Sequence, residues 1–142
     1  MTAWITVIGI GADGLSGLSE NALEPLRNAD LLVGGERHQG MVTDSDLKSG
    51  AERLTWSCGI ASAMDEIATW RSKFVVVLAS GDPLYFGAGS TLARHFDSAD
   101  INVIPYPGAF SLACARMVWS IPNTTCMAVH GRAHESLNLH IR

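Results

Sequence analysis

The sequence is poor in basic side chains and contains no basic run. Lysine and arginine total 10 against 14 aspartate and glutamate residues, which gives a formal net charge of −4. Because nucleic-acid binding relies on clustered cations, we expect no nucleic-acid partner. Charged residues make up only 17% of the 142 residues and apolar residues 47%. This balance favours a packed core and excludes a disordered chain.

Cysteine is scarce and long apolar runs are absent. The three cysteines, Cys58, Cys114 and Cys126, are odd in number and far apart. That pattern favours free thiols in a reducing compartment over a disulfide framework. No apolar run approaches the roughly 20 residues that a membrane-spanning helix needs. The first residues lack a basic segment and break at Gly9, which is not typical of a signal peptide. We therefore expect a cytoplasmic protein without a membrane partner.

Short apolar runs alternate with helix-compatible stretches along the chain. The predicted strands are 4–8, 31–33, 74–78 and 101–104, and the predicted helices are 19–28, 60–70 and 90–96. Continuously apolar strands are typical of a parallel sheet that is covered on both faces. The sequence therefore predicts an α/β fold, with a mostly parallel sheet and flanking helices.

The composition changes at residues 105–108, Pro-Tyr-Pro-Gly. Beyond it, 109–118 has the composition of a helix and 124–129 that of a strand. We predict a boundary near residue 110, between an α/β domain over 1–110 and a segment over 111–142. About 30 residues are too few for a domain with its own core. The segment 111–142 is therefore expected to be the start of an incomplete second α/β domain.

The most informative turn follows the third predicted strand. Gly81 allows a ligand to approach the backbone, and Pro83 keeps Asp82 out of the helical region. Asp82 therefore offers a fixed carboxylate at the edge where open α/β sheets bind ligands. An ordinary strand-to-helix turn accounts for the same residues.

A glycine-rich loop follows the first predicted strand. Gly9, Gly11 and Gly14 match the G-x-G-x-x-G pattern of dinucleotide-binding proteins, with Glu36 as the acid that would bind ribose. A helix would have to open within that pattern, so that its amino end meets a pyrophosphate. Helix-forming residues begin about five positions too late for this. A nicotinamide-dependent oxidoreductase remains an alternative.

Other polar groups occur at turns between the predicted elements. Arg37 and His38 follow the second strand and offer donors for a carboxylate, although a solvated arginine beside an incidental histidine explains them equally. Ser111 and neighbouring amides begin a helix that can bind a polar group, although a helix entry in which Ser111 satisfies its own backbone explains the same residues. His130 and His134 have a metal-like spacing, but the glycine between them argues against a helix and no further ligand completes the set. We expect no metal site.

Taken together, five segments resemble the tetrapyrrole methylase family. In the family's order they are 7–11, 29–35, 79–87, 104–116 and 130–132. Members are S-adenosylmethionine-dependent enzymes with two α/β domains and the cofactor in the cleft between them. Residues 34–38, 109–113 and 130–132 are most similar to the branch that methylates precorrin-6Y, also called precorrin-6B, in cobalamin biosynthesis. The resemblance spans the chain but covers only the first domain and the opening of the second.

The resemblance implies a set of site residues and a reaction. The implied cofactor-binding residues are Ala12, Ser80, Gly81, Asp82, Tyr85, Phe110 and Ser111, and the implied substrate-binding residues are Gly11, Arg37 and His38. Ser80 stands where the family frequently has glycine, and Phe110 stands where it has a small or hydroxylated residue. The implied reaction is methyl transfer to a carbon of the precorrin. It needs little acid–base chemistry, so no catalytic residue is nominated. The resemblance also implies a homodimer. Besides the methyltransferase and the oxidoreductase, a third hypothesis is a non-catalytic folding or assembly module.

Overall fold

The computed structural model describes residues 3–129, and the chain divides into two units, Met1–Gly108 and Ala109–Arg142. The first unit contains strands β1 (Ile5–Ile10), β2 (Leu31–Gly35), β3 (Glu52–Trp56), β4 (Val75–Ser80) and β5 (Ile101–Ile104), and helices α1 (Glu20–Arg27), α2 (Glu36–Gln39), α3 (Met64–Ala68) and α4 (Ala88–His95). The second unit contains helix α5 (Ala109–Met117). The four strands predicted within the first unit are confirmed, with bounds that shift by a few residues.

The five strands form one sheet in the order β3-β2-β4-β1-β5, and every neighbouring pair is parallel. Strand β1 lies between β4 and β5, so that Ile5 is opposite both Val75 and Ile101. β1 and all but the last residue of β4 are buried, as a parallel sheet covered on both faces requires. The predicted α/β class with a parallel sheet is confirmed.

Alternate residues of each central strand pack on opposite faces of the sheet. Val75 and Val77 face a core that also contains residues of α3 and α4, whereas Val76 and Leu78 face a core that contains residues of α1. The helices that follow the adjacent strands β1 and β4 are α1 and α4, and they therefore lie on opposite faces of the sheet. Such a switch point opens a crevice at the carboxyl ends of the strands, where ligands bind in open α/β sheets.

Strand β3 was not predicted from the sequence, because it lies at the edge of the sheet and is only partly buried. Glu52, Arg53 and Thr55 are exposed, and only Leu54 and Trp56 pack against the core. Edge strands often carry charged side chains, which interrupt the apolar pattern that identifies buried strands. The predicted helix 60–70 is also shorter than expected, because its first residues form a 3₁₀ turn before α3.

The second unit is described over residues 109–129. It contains α5 and a short 3₁₀ turn, Ile121–Asn123. The strand predicted over 124–129 is wrong, since these residues form no regular structure. No strand lies beside them within 109–129, so their backbone groups have no ladder to join. In the described part of the chain, no helix combines the length and the apolar character needed to cross a membrane.

Candidate functional site

The turn that follows β4 requires glycine at position 81. Gly81 has a φ of +60°, in the left-handed region that other residues rarely adopt. Its N–H donates to the carbonyl of Ile10 at 3.0 Å, and a Cβ at this position would lie 2.9 Å from Cα of Gly108. Gly81 therefore fixes the direction in which the chain leaves the sheet, beside the ends of β1 and β5.

The end of β1 packs directly against backbone of the two neighbouring turns. A Cβ on Gly9 would lie 2.1 Å from the carbonyl oxygen of Gly81 and 2.6 Å from the amide nitrogen of Tyr106. Neither atom belongs to a side chain that can move aside. The segments after β1, β4 and β5 are thus assembled at one edge of the sheet, as the switch point predicts.

Asp82 presents a half-buried carboxylate at this edge. Its Oδ1 accepts a hydrogen bond from the N–H of Leu84 at 2.9 Å, which holds the side chain in place. Within residues 3–129 its Oδ2 accepts no hydrogen bond, so that oxygen is available to a ligand hydroxyl or cation. The fixed carboxylate expected from the Gly-Asp-Pro sequence is present.

Three exposed apolar side chains follow Asp82. Leu84, Tyr85 and Phe86 are 54%, 47% and 41% exposed, and the two aromatic rings lie 4.8 Å apart between centroids. Phe86 has a φ of +57°, which is unusual for a bulky residue. The N–H of Tyr85 donates to the carbonyl of Asp82 at 3.2 Å. The turn therefore presents a carboxylate and an apolar surface side by side.

Ser80, the last residue of β4, is in contact with both Arg37 and His38. Nη2 of Arg37 donates to Oγ of Ser80 at 3.2 Å, and Nε2 of His38 lies 3.1 Å from the same oxygen. Nη2 of Arg37 also lies 3.5 Å from Nε2 of His38. Two residues predicted at the substrate site thus meet one predicted at the cofactor site.

His38 is the buried member of this cluster, at 8% exposed, whereas Arg37 and Ser80 are exposed. Burial holds the pKa of His38 below its ordinary value of 6.5, and the charge of Arg37 lowers this pKa further. His38 is therefore neutral near pH 7. Gly34 permits the close packing of α2 on β2, since its Cβ would lie 3.2 Å from Cβ of His38.

The glycine-rich loop after β1 is closed by Asp13 and Tyr106. The Tyr106 hydroxyl donates to Oδ2 of Asp13 at 2.6 Å, a hydrogen bond that raises the pKa of Tyr106 above 10.0. A Cβ on Gly11 would lie 2.5 Å from the Tyr106 ring, and one on Gly17 would lie 2.1 Å from Oδ2 of Asp13. The glycines make room for these side chains. Ala12 is exposed on the same loop.

This loop does not match a dinucleotide-binding turn. Helix α1 begins only at Glu20, and residues Gly14–Gly17 form a 3₁₀ turn. The Asp13 carboxylate also places negative charge where the pattern would hold a pyrophosphate. Neither the pairing of Asp13 with Tyr106 nor that of Ser80 with Arg37 and His38 was found from the sequence. A polar residue after each of these strands is the signal that points to such contacts.

The second unit contributes two of the predicted residues. Phe110 and Ser111 lie in the first turn of α5, and Ser111 is exposed. His130, Arg132 and His134 lie outside the described residues. Over residues 3–129, no group of histidine, cysteine and carboxylate side chains has the arrangement of a metal site.

The fold defines an open α/β protein in which the segments after three parallel strands meet at the carboxyl edge of the sheet. The family model described as "Tetrapyrrole (Corrin/Porphyrin) Methylases" matches residues 5–140. This chain belongs to the tetrapyrrole methylase family, which confirms the family predicted from its sequence.

Two curated relatives carry names from cobalamin biosynthesis. The chain is 40% identical to a precorrin-6Y C(5,15)-methyltransferase [decarboxylating] of Sinorhizobium sp, over 99% of this chain and 33% of that protein. It is 36% identical to a cobalt-precorrin-7 C(5)-methyltransferase of Salmonella typhimurium, over 90% of this chain and 62% of that protein. The chain therefore spans about a third of the length of the first relative and under two thirds of the second.

Two solved structures share the fold. The precorrin-6Y methylase of Archaeoglobus fulgidus has a TM-score of 0.67 at 23% identity, over 94% of this chain and 68% of that one. The uroporphyrin-III C-methyltransferase of Thermus thermophilus, complexed with S-adenosylhomocysteine, has a TM-score of 0.53 at 22% identity, over 74% and 45%.

Proposed function

We propose that this chain carries one wall of the cofactor site of an S-adenosylmethionine-dependent C-methyltransferase that acts on a precorrin, precorrin-6Y (6B), in cobalamin biosynthesis. The observation that carries the proposal is the turn Ser80–Gly81–Asp82, which lies at the switch point of the parallel sheet. Gly81 adopts a left-handed conformation that other residues rarely adopt, and Asp82 presents a carboxylate whose Oδ2 accepts no hydrogen bond from residues 3–129. Membership of the tetrapyrrole methylase family supports this assignment.

The residues at this edge fit the cofactor chemically. The proposed cofactor-binding residues are Ala12, Ser80, Gly81, Asp82 and Tyr85 in the first unit and Phe110 and Ser111 in the second. A carboxylate such as Asp82 accepts hydrogen bonds from ribose hydroxyls and favours a nearby positive charge. The bound cofactor would supply a methyl group that is already activated by its sulfonium. The protein then has mainly to align the reactants, which can be worth about 7–11 kcal/mol.

We propose that Gly11 and Arg37 bind the substrate directly, and that His38, which the resemblance groups with them, acts only through its contacts with Arg37 and Ser80. The macrocycle has several carboxylates, and Arg37 offers an exposed guanidinium that can bind one of them in a chain of net charge −4. His38 is too buried to present its ring to a large ligand. We propose further that residues 111–142 begin a second α/β domain and that the protein is a cytoplasmic homodimer.

Binding of S-adenosylhomocysteine and of NADH by isothermal titration calorimetry separates the hypotheses. Binding of the first alone supports the methyltransferase. Binding of NADH alone would support the oxidoreductase, against which the closed Asp13–Tyr106 loop argues. If neither ligand binds, the chain acts as a non-catalytic module and the proposal is wrong for this chain.

The role of Asp82 can be tested with a matched aspartate. Asp97 makes the same local hydrogen bond as Asp82, since its Oδ1 accepts from the N–H two residues later at 3.0 Å, but it lies away from the site. We expect Asp82→Ala to weaken S-adenosylhomocysteine binding about 10- to 100-fold, because hydrogen bonds to charged groups contribute about 1.5–3 kcal/mol. Asp97→Ala should leave the affinity unchanged. Equal effects of the two substitutions would exclude a direct role for Asp82.

The role of Arg37 can be tested with a carboxylated porphyrin as the probe. We expect Arg37→Ala to weaken its binding about tenfold, through loss of a charge-assisted hydrogen bond. Arg94 on α4 is equally exposed and serves as the control. The affinity can be measured by quenching of porphyrin fluorescence. An unchanged affinity in Arg37→Ala would remove Arg37 from the substrate site.

A further inference from the structure

The charge of Arg37 favours one hydrogen-bond direction between Ser80 and His38. Nη2 of Arg37 donates to Oγ of Ser80 at 3.2 Å and lies 3.5 Å from Nε2 of His38. A guanidinium only donates hydrogen bonds, so its neighbourhood favours an unprotonated Nε2 over a second N–H. The Ser80 hydroxyl, 3.1 Å away, is left to donate its proton to that nitrogen.

The state of the His38 ring agrees with this direction. The pKa of His38 lies below its ordinary value, so the ring is neutral and carries one proton. With Nε2 accepting, that proton is on Nδ1, which is buried and has no hydrogen-bond partner within residues 3–129. One buried ring nitrogen is thus left unpaired while the other contacts the Ser80 hydroxyl. An arrangement with this cost needs a reason.

The position of Ser80 supplies the reason. It is the last residue of β4 and directly precedes Gly81, whose N–H donates to the carbonyl of Ile10. The next residue, Asp82, has a carboxylate oxygen that accepts no hydrogen bond from the described part of the chain. A side chain that enters the edge of a ligand crevice must be held in one rotamer if it is not to obstruct the ligand.

We propose that His38 is a positioning residue, which accepts the Ser80 hydroxyl through Nε2 and thereby holds the Ser80–Gly81–Asp82 turn in its ligand-binding form. His38 itself does not touch the ligand, since only 8% of it is exposed. This inference rests on the proposed function for the identity of the ligand. The hydrogen bond and its effect on the turn do not depend on that identity.

A pair of substitutions separates this role from mere packing. The end of a glutamine side chain reaches the position of Nε2 and can accept a hydrogen bond there, whereas asparagine reaches only the position of Nδ1. We expect His38→Asn to weaken S-adenosylhomocysteine binding by about tenfold and His38→Gln by less than about threefold, as measured by titration calorimetry. Equal losses in the two variants would overturn the proposal.

A double-mutant cycle with Ser80→Ala tests whether His38 acts through the hydroxyl. Ser80 is exposed, so its replacement spares the core. Because the two groups share one hydrogen bond, we expect His38→Asn to weaken binding by no more than about twofold in the Ser80→Ala background. Full additivity of the two losses would overturn the proposal.

Nuclear magnetic resonance of the ligand-free chain gives an independent readout. The ¹⁵N spectrum of the His38 ring should show a protonated Nδ1 and an unprotonated Nε2, and Ser80→Ala should shift the Nε2 resonance. Amide exchange at Gly81 should accelerate in His38→Asn and stay unchanged in His38→Gln. A protonated Nε2 would refute the inference. If the wild-type chain does not bind S-adenosylhomocysteine, the proposed function fails while these spectra still decide the inference.

Discussion

At the scale of single residues, the buried imidazole of His38 links the site to the stability of the fold. Its pKa is lower in the folded chain than the value of about 6.5 that an unfolded chain shows, so the folded state disfavours the protonated ring. As pH falls through 6.5 towards the folded pKa, the unfolded chain binds more protons than the folded one. The free energy of unfolding must therefore decrease over that interval, and the loss levels off below the folded pKa.

This loss can be measured against a residue that does not titrate. We expect the free energy of unfolding of the wild-type chain, from urea denaturation, to fall relative to that of His38→Gln as pH is lowered from about 8 to about 5. Groups other than His38 titrate in both proteins and cancel in the difference. A difference that stays constant over this interval would show that the folded ring is protonated as readily as the unfolded one, and so that its pKa is not lowered.

At the scale of elements, Leu92 is the large side chain that α4 buries against the sheet. Leu92 is fully buried and packs in the core that α3 and α4 share with one face of the sheet. We expect Leu92→Ala to lower the free energy of unfolding by about 2–5 kcal/mol, since it leaves a cavity under the helix that follows the Asp82 turn. Denaturation by urea, followed by far-ultraviolet circular dichroism, measures this.

The same substitution at an exposed leucine provides the control. Leu112 on α5 is 52% exposed, and Leu112→Ala should change the free energy of unfolding by no more than about 0.5 kcal/mol. Similar losses of unfolding free energy in Leu92→Ala and Leu112→Ala would show that the burial of Leu92 beneath α4 does not cause the loss.

Strands could be predicted from the sequence where their burial requires an apolar residue at nearly every position. Strands β1 and β4 are apolar at nearly every position because both faces of the sheet are covered, and this pattern predicts a parallel strand directly. Strand β3 is half exposed, and its Arg53 reaches Asp44 and backbone carbonyls instead of the core. The strand prediction over 124–129 is wrong for the opposite reason. These residues have the composition of a strand, but no strand lies beside them in the described part of the second unit.

At the scale of the whole molecule, the sequence indicates where the site lies but not how its side chains pair. The carboxyl ends of parallel strands share one edge, so residues that follow β1, β2, β4 and β5 could be assigned to it from the fold class alone. The contacts between them join residues that are far apart in the chain. Tyr106 meets Asp13 over 93 positions, and Ser80 meets His38 over 42. No local pattern encodes such pairs, which depend on strand order.

The strand order also determines when the chain can fold during its synthesis. Strand β1 is made first, yet its two partners are β4 and β5, so Ile5 has no neighbour in the sheet until Val75 and then Ile101 have left the ribosome. Until then, an apolar segment whose backbone groups are unpaired waits in the nascent chain, as in other folds dominated by distant strand pairing. The contact of Gly9 with the turns after β4 and β5 must also form at this stage. The ligand crevice is therefore among the last features of the first unit to take shape, and a chaperone that shields residues 5–10 would act in this interval.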